Sequence, residues 1–330
     1  MRAVVITGKG GPEVLDVREV DPPVPGFGQV GVAIHAAGLN RADALQARGR
    51  YPAPPGSPAD IPGLEFAGVV ETLGPGLVGP WKPGDRVYGI AGGGGLAQAI
   101  VAHERCLAPI PDNLDFVQAA AVPEAFMTAH DALETQARYQ PGETVLIHAV
   151  GGGVGTAAVQ LAHAAGCRTI GTARTAWKLD RAGELGLDVP IDTSVMPDFA
   201  AAVKAATGGH GAPVILDFLG GSAWAGNIDA LAVRGRMVLI GFLAGPTVEK
   251  MNLGALLAKR ATIVATTLRA RPLEEKIAVT QAFASRVNPW LASGVVKPVV
   301  DRVFPLDQAR EALAHMESNG GFGKVVLAMR

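Results

Sequence analysis

Between Asp115 and about Arg260 the apolar positions fall into short runs separated by longer segments with helical spacing. Thr144-Val-Leu-Ile-His148 is a run of buried-strand type, Thr156 to Gly166 is an Ala-rich segment closed by glycine, and Arg168-Thr-Ile-Gly-Thr-Ala173 is a second strand. Further helices are predicted over 198–207 and 222–233, and further strands over 213–219, 236–242 and 261–268. Strand-length apolar runs alternating with helices predict a parallel sheet covered on both faces. Upstream the pattern differs. Residues 14–20 and 30–35 alternate by two, and 66–71, 85–90 and 98–102 are further short runs set off by glycine and proline. Many short strands with turn residues between them predict a partly open β-barrel or sandwich. The tail mixes a long helix (272–292), a strand (299–304), a helix opened by Asp307 as its N-cap and stopped at Asn319-Gly-Gly, and a last strand (324–328).

Composition narrows the function classes. Hydrophobic residues make up 48% and charged residues 18% of the 330, and 29 basic residues meet 30 acidic ones. That balance describes a globular chain with ample core and no polyanion-binding surface, so nucleic acid is not expected as the primary partner. No apolar run approaches the ~18 residues of a membrane span, and the start of the chain lacks the apolar core of a signal peptide. The two cysteines, Cys106 and Cys167, stand far apart without a C-x-x-C, which argues against a disulfide scaffold and a thiolate zinc site. A reducing cytoplasm is the simplest compartment.

The candidate chemistry starts at Gly151-Gly-Gly-Val-Gly155, which lies between the first parallel strand and its helix. Glycines there let the backbone approach a pyrophosphate, and the free N–H groups of the helix start face its charge. In G-x-G-x-x-G register the positions are Val150, Gly152 and Gly155, so valine replaces the first glycine. About 20 residues on, where an acid would accept bonds from the ribose of NAD, the chain reads Thr172-Ala-Arg-Thr-Ala-Trp-Lys178. Arg174, Thr175 and Lys178 suit a 2′-phosphate instead, which points to NADPH.

Several motifs together resemble the zinc-independent quinone oxidoreductase branch of the medium-chain dehydrogenase/reductase superfamily: Gly10-Gly-Pro-Glu13, Gly38-Leu-Asn-Arg-Ala-Asp43, Pro62 to Gly68, Gly84-Asp-Arg-Val87, Ala149 to Gly155 and Gly323-Lys-Val-Val326. Asn40-Arg-Ala-Asp43, Arg48-Gly-Arg-Tyr51 and Val122-Pro-Glu-Ala125 are most similar to the p53-inducible quinone oxidoreductase group. Zinc-dependent relatives carry a cysteine where this chain has Asn40 and a histidine where it has Leu64, so no metal is expected.

The resemblance implies an α/β fold, with a Rossmann domain over 122–264 and a discontinuous, mostly β, GroES-like catalytic domain over 1–121 and 265–330. It implies that NADPH reduces a quinone, in a cleft where the Rossmann strand ends meet the catalytic domain. Asn40 and Tyr51 would hold the acceptor's oxygen. Thr128 would approach the nicotinamide, with Gly241, Phe242, Leu268 and Arg269 flanking it. Phe218 and Gly220 would line the ribose side, Lys324 would reach the cofactor from the tail, and Thr172 would belong to the cofactor site with the glycines and Val154. One alternative is a reductase of activated alkenes (2-alkenal, enone or enoyl-thioester), with Arg48, Arg50, Arg269 and Arg271 available for a thioester's phosphates. Another is a non-enzymatic NADPH-binding sensor or structural protein, since lens zeta-crystallins resemble this branch. A homodimer joined along the strand near Ala261–Leu268 is the family expectation.

Overall fold

The computed structural model describes residues 1–329 and divides them into two compact units, Met1–Met127 with Leu268 onward, and Thr128–Thr267. In chain order the first stretch holds β1 (Arg2–Ile6), β2 (Leu15–Glu19), β3 (Gln29–Gly38), α1 (Arg41–Ala47), β4 (Glu65–Leu73), β5 (Arg86–Ile90), β6 (Ala99–His103), β7 (Leu107–Pro109) and α2 (Phe116–Ala120). Helix α3 (Pro123–His130) runs into a wider π-type turn, Asp131–Gln136. The second unit then builds β8 (Thr144–Ile147), α4 (Gly153–Ala164), β9 (Arg168–Ala173), α5 (Ala176–Gly183), β10 (Val189–Asp192), α6 (Phe199–Ala206), β11 (Ala212–Asp217), α7 (Trp224–Ala230), β12 (Leu231–Leu239), α8 (Leu253–Lys259) and β13 (Thr262–Ala265). The tail adds α9 (Leu273–Arg286), α10 (Asn288–Ala292), β14 (Val300–Pro305), α11 (Ala309–Glu317) and β15 (Lys324–Ala328).

The second unit is a Rossmann sheet. Its six strands are all parallel, in the order β10-β9-β8-β11-β12-β13. Val145, Leu146 and Ile147 of β8 are fully buried, as a central strand with helices on both faces requires. The chain moves outward from β8 first to one side and then to the other, so the sheet switches direction between β8 and β11. Ligands of such sheets sit beyond the strand ends at that switch.

The first unit is mostly antiparallel and has its own core, from Val4 through Phe66 to Leu327. Its seven-stranded sheet runs β14-β15-β3-β4-β5-β7, with β6 also pairing β3. Irregularities at Gly31/Val32 and Ile34/Ala36 bend β3, and it bonds β6 and β4 along one part and β15 near its end. Because β4 and β15 both run antiparallel to β3, the end of β3 meets the starts of β4 and β15. Residues 38–40, Glu65 and Lys324 are thereby drawn to one place.

Several boundaries differ from the sequence expectation. The helix expected over 272–292 is broken after Arg286, and Pro289, which has no N–H to donate, stands in the short α10 that follows. Asp307 does not cap α11: it lies in a 3₁₀ turn, Leu306–Gln308, and pairs with Arg2. The strand expected over 261–268 is confined to Thr262–Ala265, and β12 begins at Leu231 rather than 236. Among the described residues no helix is long and apolar enough to cross a membrane.

Candidate active site

In the second unit the turn after β8 is tight for a local reason. A Cβ on Gly155 would lie 2.4 Å from Ala149 O and 2.8 Å from Val150 Cα, so the first turn of α4 packs on the turn backbone only with glycine there. Ala149 itself adopts a left-handed backbone, φ 50°. Val150, which replaces the first fingerprint glycine, is accommodated by its neighbour: a Cβ on Gly171 would meet Val150 Cγ1 at 2.5 Å, so the missing side chain has moved to the adjacent strand. Gly152 is different. It is exposed, and a Cβ on it would meet only Ala149 O, at 3.4 Å. Nothing in the chain requires glycine at that point, whereas an approaching pyrophosphate would. Gly152 stands at the N-cap of α4 with no side chain capping the helix, so the N–H groups of Gly153, Val154 and Gly155 have no intrahelical acceptor and are available to an anion.

Lys178 lies against this turn, since a Cβ on Gly151 would be 2.8 Å from its Cδ. Arg174 and Thr175 are exposed at the end of β9, and Thr175 is the N-cap residue of α5 with no side-chain cap bond. Thr172 points elsewhere. It is buried, with its hydroxyl 2.8 Å from His148 Nδ1, and His148 Nε2 is 2.7 Å from Asn227 Oδ1. With Asn227 presenting its oxygen, Nε2 carries the hydrogen and Thr172 donates to Nδ1. Burial holds this imidazole below its ordinary pKa, against the raising effect of Asp217, so it is a neutral packing residue at the strand end.

On the other side of the switch, Asp217 closes β11 by accepting the N–H groups of Leu219 (2.8 Å) and Gly220 (3.1 Å). Gly220 takes φ 69°, and a Cβ there would meet Phe242 Cδ1 at 3.1 Å. Leu243 N–H donates to Phe218 O, so Phe218, Gly220, Gly241 and Phe242 form one lip at the ends of β11 and β12. Thr128 is buried on α3.

In the first unit the strand ends hold a buried polar cluster. Glu65, fully buried, accepts from Lys324 Nζ (2.5 Å), Asn40 Nδ2 (2.9 Å) and the backbone N–H of Glu124 (2.8 Å). Lys324 also donates to Leu39 O and Asn40 Oδ1, both at 2.6 Å. Gly38 makes room for this, because a Cβ there would fall 2.3 Å from Glu65 Oε1 and 2.7 Å from Ala120 O. The remaining Asn40 amide contact, to Gly38 O, is long at 3.4 Å. Asp43, 2% exposed, accepts from Asn40 N–H (2.7 Å) and Gly63 N–H (2.9 Å). Burial pushes its carboxyl up to about 6 although both bonds and the charges of Lys324 and Arg269 pull the other way.

Arg269 is 3% exposed and donates from Nε to Gly92 O (2.8 Å), from Nη1 to Tyr51 O (3.0 Å) and from Nη2 to Gln46 Oε1. Its guanidinium lies 5.1 Å from the centre of the half-buried Tyr51 ring. Burial lowers its pKa. Leu268, beside it, is buried. The structure thus gathers Asn40 with Lys324, and Tyr51 with Arg269. Glu65, Asp43, Gln46 and Glu124 were not read as site residues from the sequence. The available signal was an acid in an apolar setting, as in Gly63-Leu-Glu-Phe-Ala67, since a buried charge has to find partners.

Among the described residues no three His, Cys, Asp or Glu side chains are grouped to hold a metal ion. Comparison with known proteins matches residues 26–112 to the alcohol dehydrogenase GroES-like domain and 153–284 to the zinc-binding dehydrogenase family. The zinc in that second description has no ligand set among the described residues. The quinone oxidoreductase of Pseudomonas aeruginosa is 36% identical, over 96% of this chain and 96% of that protein. Among solved structures, Escherichia coli quinone oxidoreductase complexed with NADPH superposes with TM-score 0.88 at 31% identity, covering 100% of both chains. An NAD-dependent alcohol dehydrogenase gives 0.88 at 34% identity over 100% of both. The CurK enoyl reductase gives 0.84 at 27%, over 100% of this chain and 99% of that one.

Proposed function

The chain belongs to the medium-chain dehydrogenase/reductase superfamily, alongside its quinone oxidoreductases, and on that premise we propose that it reduces a quinone with NADPH and without a metal ion. The observation carrying the cofactor half is the open space at Gly152 over the uncapped start of α4, with Lys178 against the same turn. NADPH supplies the hydride. Gly151, Gly152, Gly153, Val154 and Gly155 cradle the pyrophosphate, and Arg174, Thr175 and Lys178 neutralise and bond the 2′-phosphate. Phe218, Gly220, Gly241 and Phe242 border the ribose and nicotinamide, with Thr128. Thr172 serves this site by holding His148 rather than by touching the cofactor.

Tyr51 and Asn40 hold the acceptor's oxygen and stabilise the charge that develops on it. The Asn40 amide keeps its 2.9 Å bond to Glu65 and exchanges the weak 3.4 Å contact with Gly38 for the substrate. Lys324 and Arg269 act as supports: one fixes the Asn40 amide, the other the Tyr51 backbone. An enone carbonyl fits the same donors, and the likeness to an enoyl reductase favours activated alkenes as the second reading. A long acyl-thioester is less well served, because Arg48 is engaged by Glu317 (2.5 Å) and Arg269 by three acceptors within its own unit. The cytoplasm is the proposed compartment, supported by Cys106 and Cys167 both being free and buried.

The test is the initial rate of NADPH and NADH oxidation with an ortho-quinone, a para-quinone, a vinyl ketone and an enoyl-thioester. Turnover of quinones favouring NADPH is expected, and Arg174→Ala with Lys178→Ala should raise the KM for NADPH roughly 10- to 100-fold while leaving that for NADH unchanged. Preference for the alkenes would replace quinone as substrate. Tight NADPH binding with no turnover would favour a sensor or structural protein.

A further inference from the structure

Glu124 is the one acid of the first unit's cluster whose carboxyl has no hydrogen-bond or ion-pair partner among the described residues. It is the second residue of α3, where its backbone N–H is held by Glu65 Oε2 at 2.8 Å, and its side chain is half-buried. The cations nearby are already committed. Lys324 donates to Leu39 O, Asn40 Oδ1 and Glu65 Oε1, and Arg269 donates through all three of its nitrogens. The charged groups acting on Glu124 are Glu65 from β4 and Asp43 from α1, which oppose its ionisation, and Lys324 from β15 and Arg269, which favour it. Lys276 of α9 is also within electrostatic reach. Burial first, and then the charge of Glu65, push the Glu124 carboxyl up to about 8, so it carries its proton at neutral pH. Thr128 is four residues further along α3, on the same helix face one turn away.

We propose that Glu124 is a catalytic acid, which delivers to the acceptor's oxygen the proton that completes the reduction. The proposal rests on the reductase reading above. As a hydride is added, the acceptor gains one hydrogen and two electrons, and its oxygen takes up the displaced electron pair. An O–H bond forms there as the O–H bond of Glu124 breaks, leaving a carboxylate that solvent reprotonates. Quinone, hydride and proton together make hydroquinone, and the nicotinamide is left oxidised. The two oxygens of one carboxylate, Glu65, hold the Glu124 backbone N–H and the Asn40 amide, which places Glu124 beside the group that binds the acceptor's oxygen.

Infrared titration of the full chain tests the protonation directly, and kinetics test its use. A protonated-carboxyl band should persist at neutral pH, vanish as pH rises through about 8, and be missing from Glu124→Gln. With a quinone, Glu124→Gln should lower kcat about 100-fold with KM unchanged, and abolish the fall in kcat that the wild type shows above about pH 8. Glu124→Asp, which keeps an acid, should recover part of the rate, and it stands in for the glutamine variant should that one not fold. A glutamine variant with wild-type kcat and pH profile, or a wild type with no protonated carboxyl at neutral pH, overturns the proposal while leaving the reductase reading intact. A wild type that turns over no acceptor overturns both.

Discussion

Asp43 shows how much the setting of one residue decides. In sequence it is the third residue of a helix opened by Asn40, and its carboxylate does take the Asn40 N–H. Its 2% exposure and its second bond, to Gly63 N–H, come from a loop twenty residues away. Burial raises its pKa to about 6, whereas in the unfolded chain it titrates near ~4. Between those values the folded state binds more protons than the unfolded one, so the stability Asp43 contributes is complete below about pH 4 and declines as pH rises to about 6. Urea unfolding of wild type and Asp43→Asn across that window should show the wild type losing stability relative to the variant. Parallel slopes would mean that the carboxyl is not held protonated. Motifs such as Asn40-Arg-Ala-Asp43 and Gly63-Leu-Glu65 were visible in the sequence, but nothing in them said that Glu65 would take Lys324, or that the Asn40 amide would be held from both sides.

The turn from β8 into α4 was the most legible element, because its evidence is contiguous: an apolar run, a glycine cluster and an Ala-rich helix. What the sequence left open was why valine stands at position 150, and the answer lies across the sheet at Gly171. The same geometry separates two glycines that look alike in sequence. Gly155→Ala should destabilise the fold by about 1–3 kcal/mol, since the added carbon meets backbone at 2.4 Å. Gly152→Ala should leave the melting temperature unchanged and weaken NADPH binding roughly tenfold. Thermal unfolding and calorimetric titration of both variants check this, and wild-type NADPH affinity in Gly152→Ala would place the pyrophosphate elsewhere. Other element ends were missed by a few residues, as at Asp307, which lies in the 3₁₀ turn before α11 and pairs with Arg2.

At the scale of the molecule each unit carries its own core, and the Rossmann sheet leaves two edges. The β10 edge contains Pro190, which removes a backbone donor and discourages further pairing. The β13 edge, Thr262-Ile-Val-Ala265, has neither proline nor charge, and its first and last residues are exposed. We propose that two copies pair along β13. Light scattering at micromolar concentration should give twice the mass of one chain, and Thr262→Lys with Ala265→Lys should restore the mass of one. A wild-type monomer would remove the proposal.

The sequence by itself determined what depends on neighbours a few residues apart: the α/β class, the alternation of strand and helix around the glycine turn, and the basic residues that follow the second strand. Those signals are local because helix and strand periodicities repeat within a few positions. Tertiary structure decided which polar groups meet. Asn40 bonds Glu65 across 25 residues and Lys324 across 284, and Arg269 reaches Tyr51 across 218. The two Asn40 pairs form because β3, β4 and β15 bring their ends together, and the Arg269 pair because two loops far apart in sequence meet. Strand order is settled by packing of the whole chain, which no window of sequence contains.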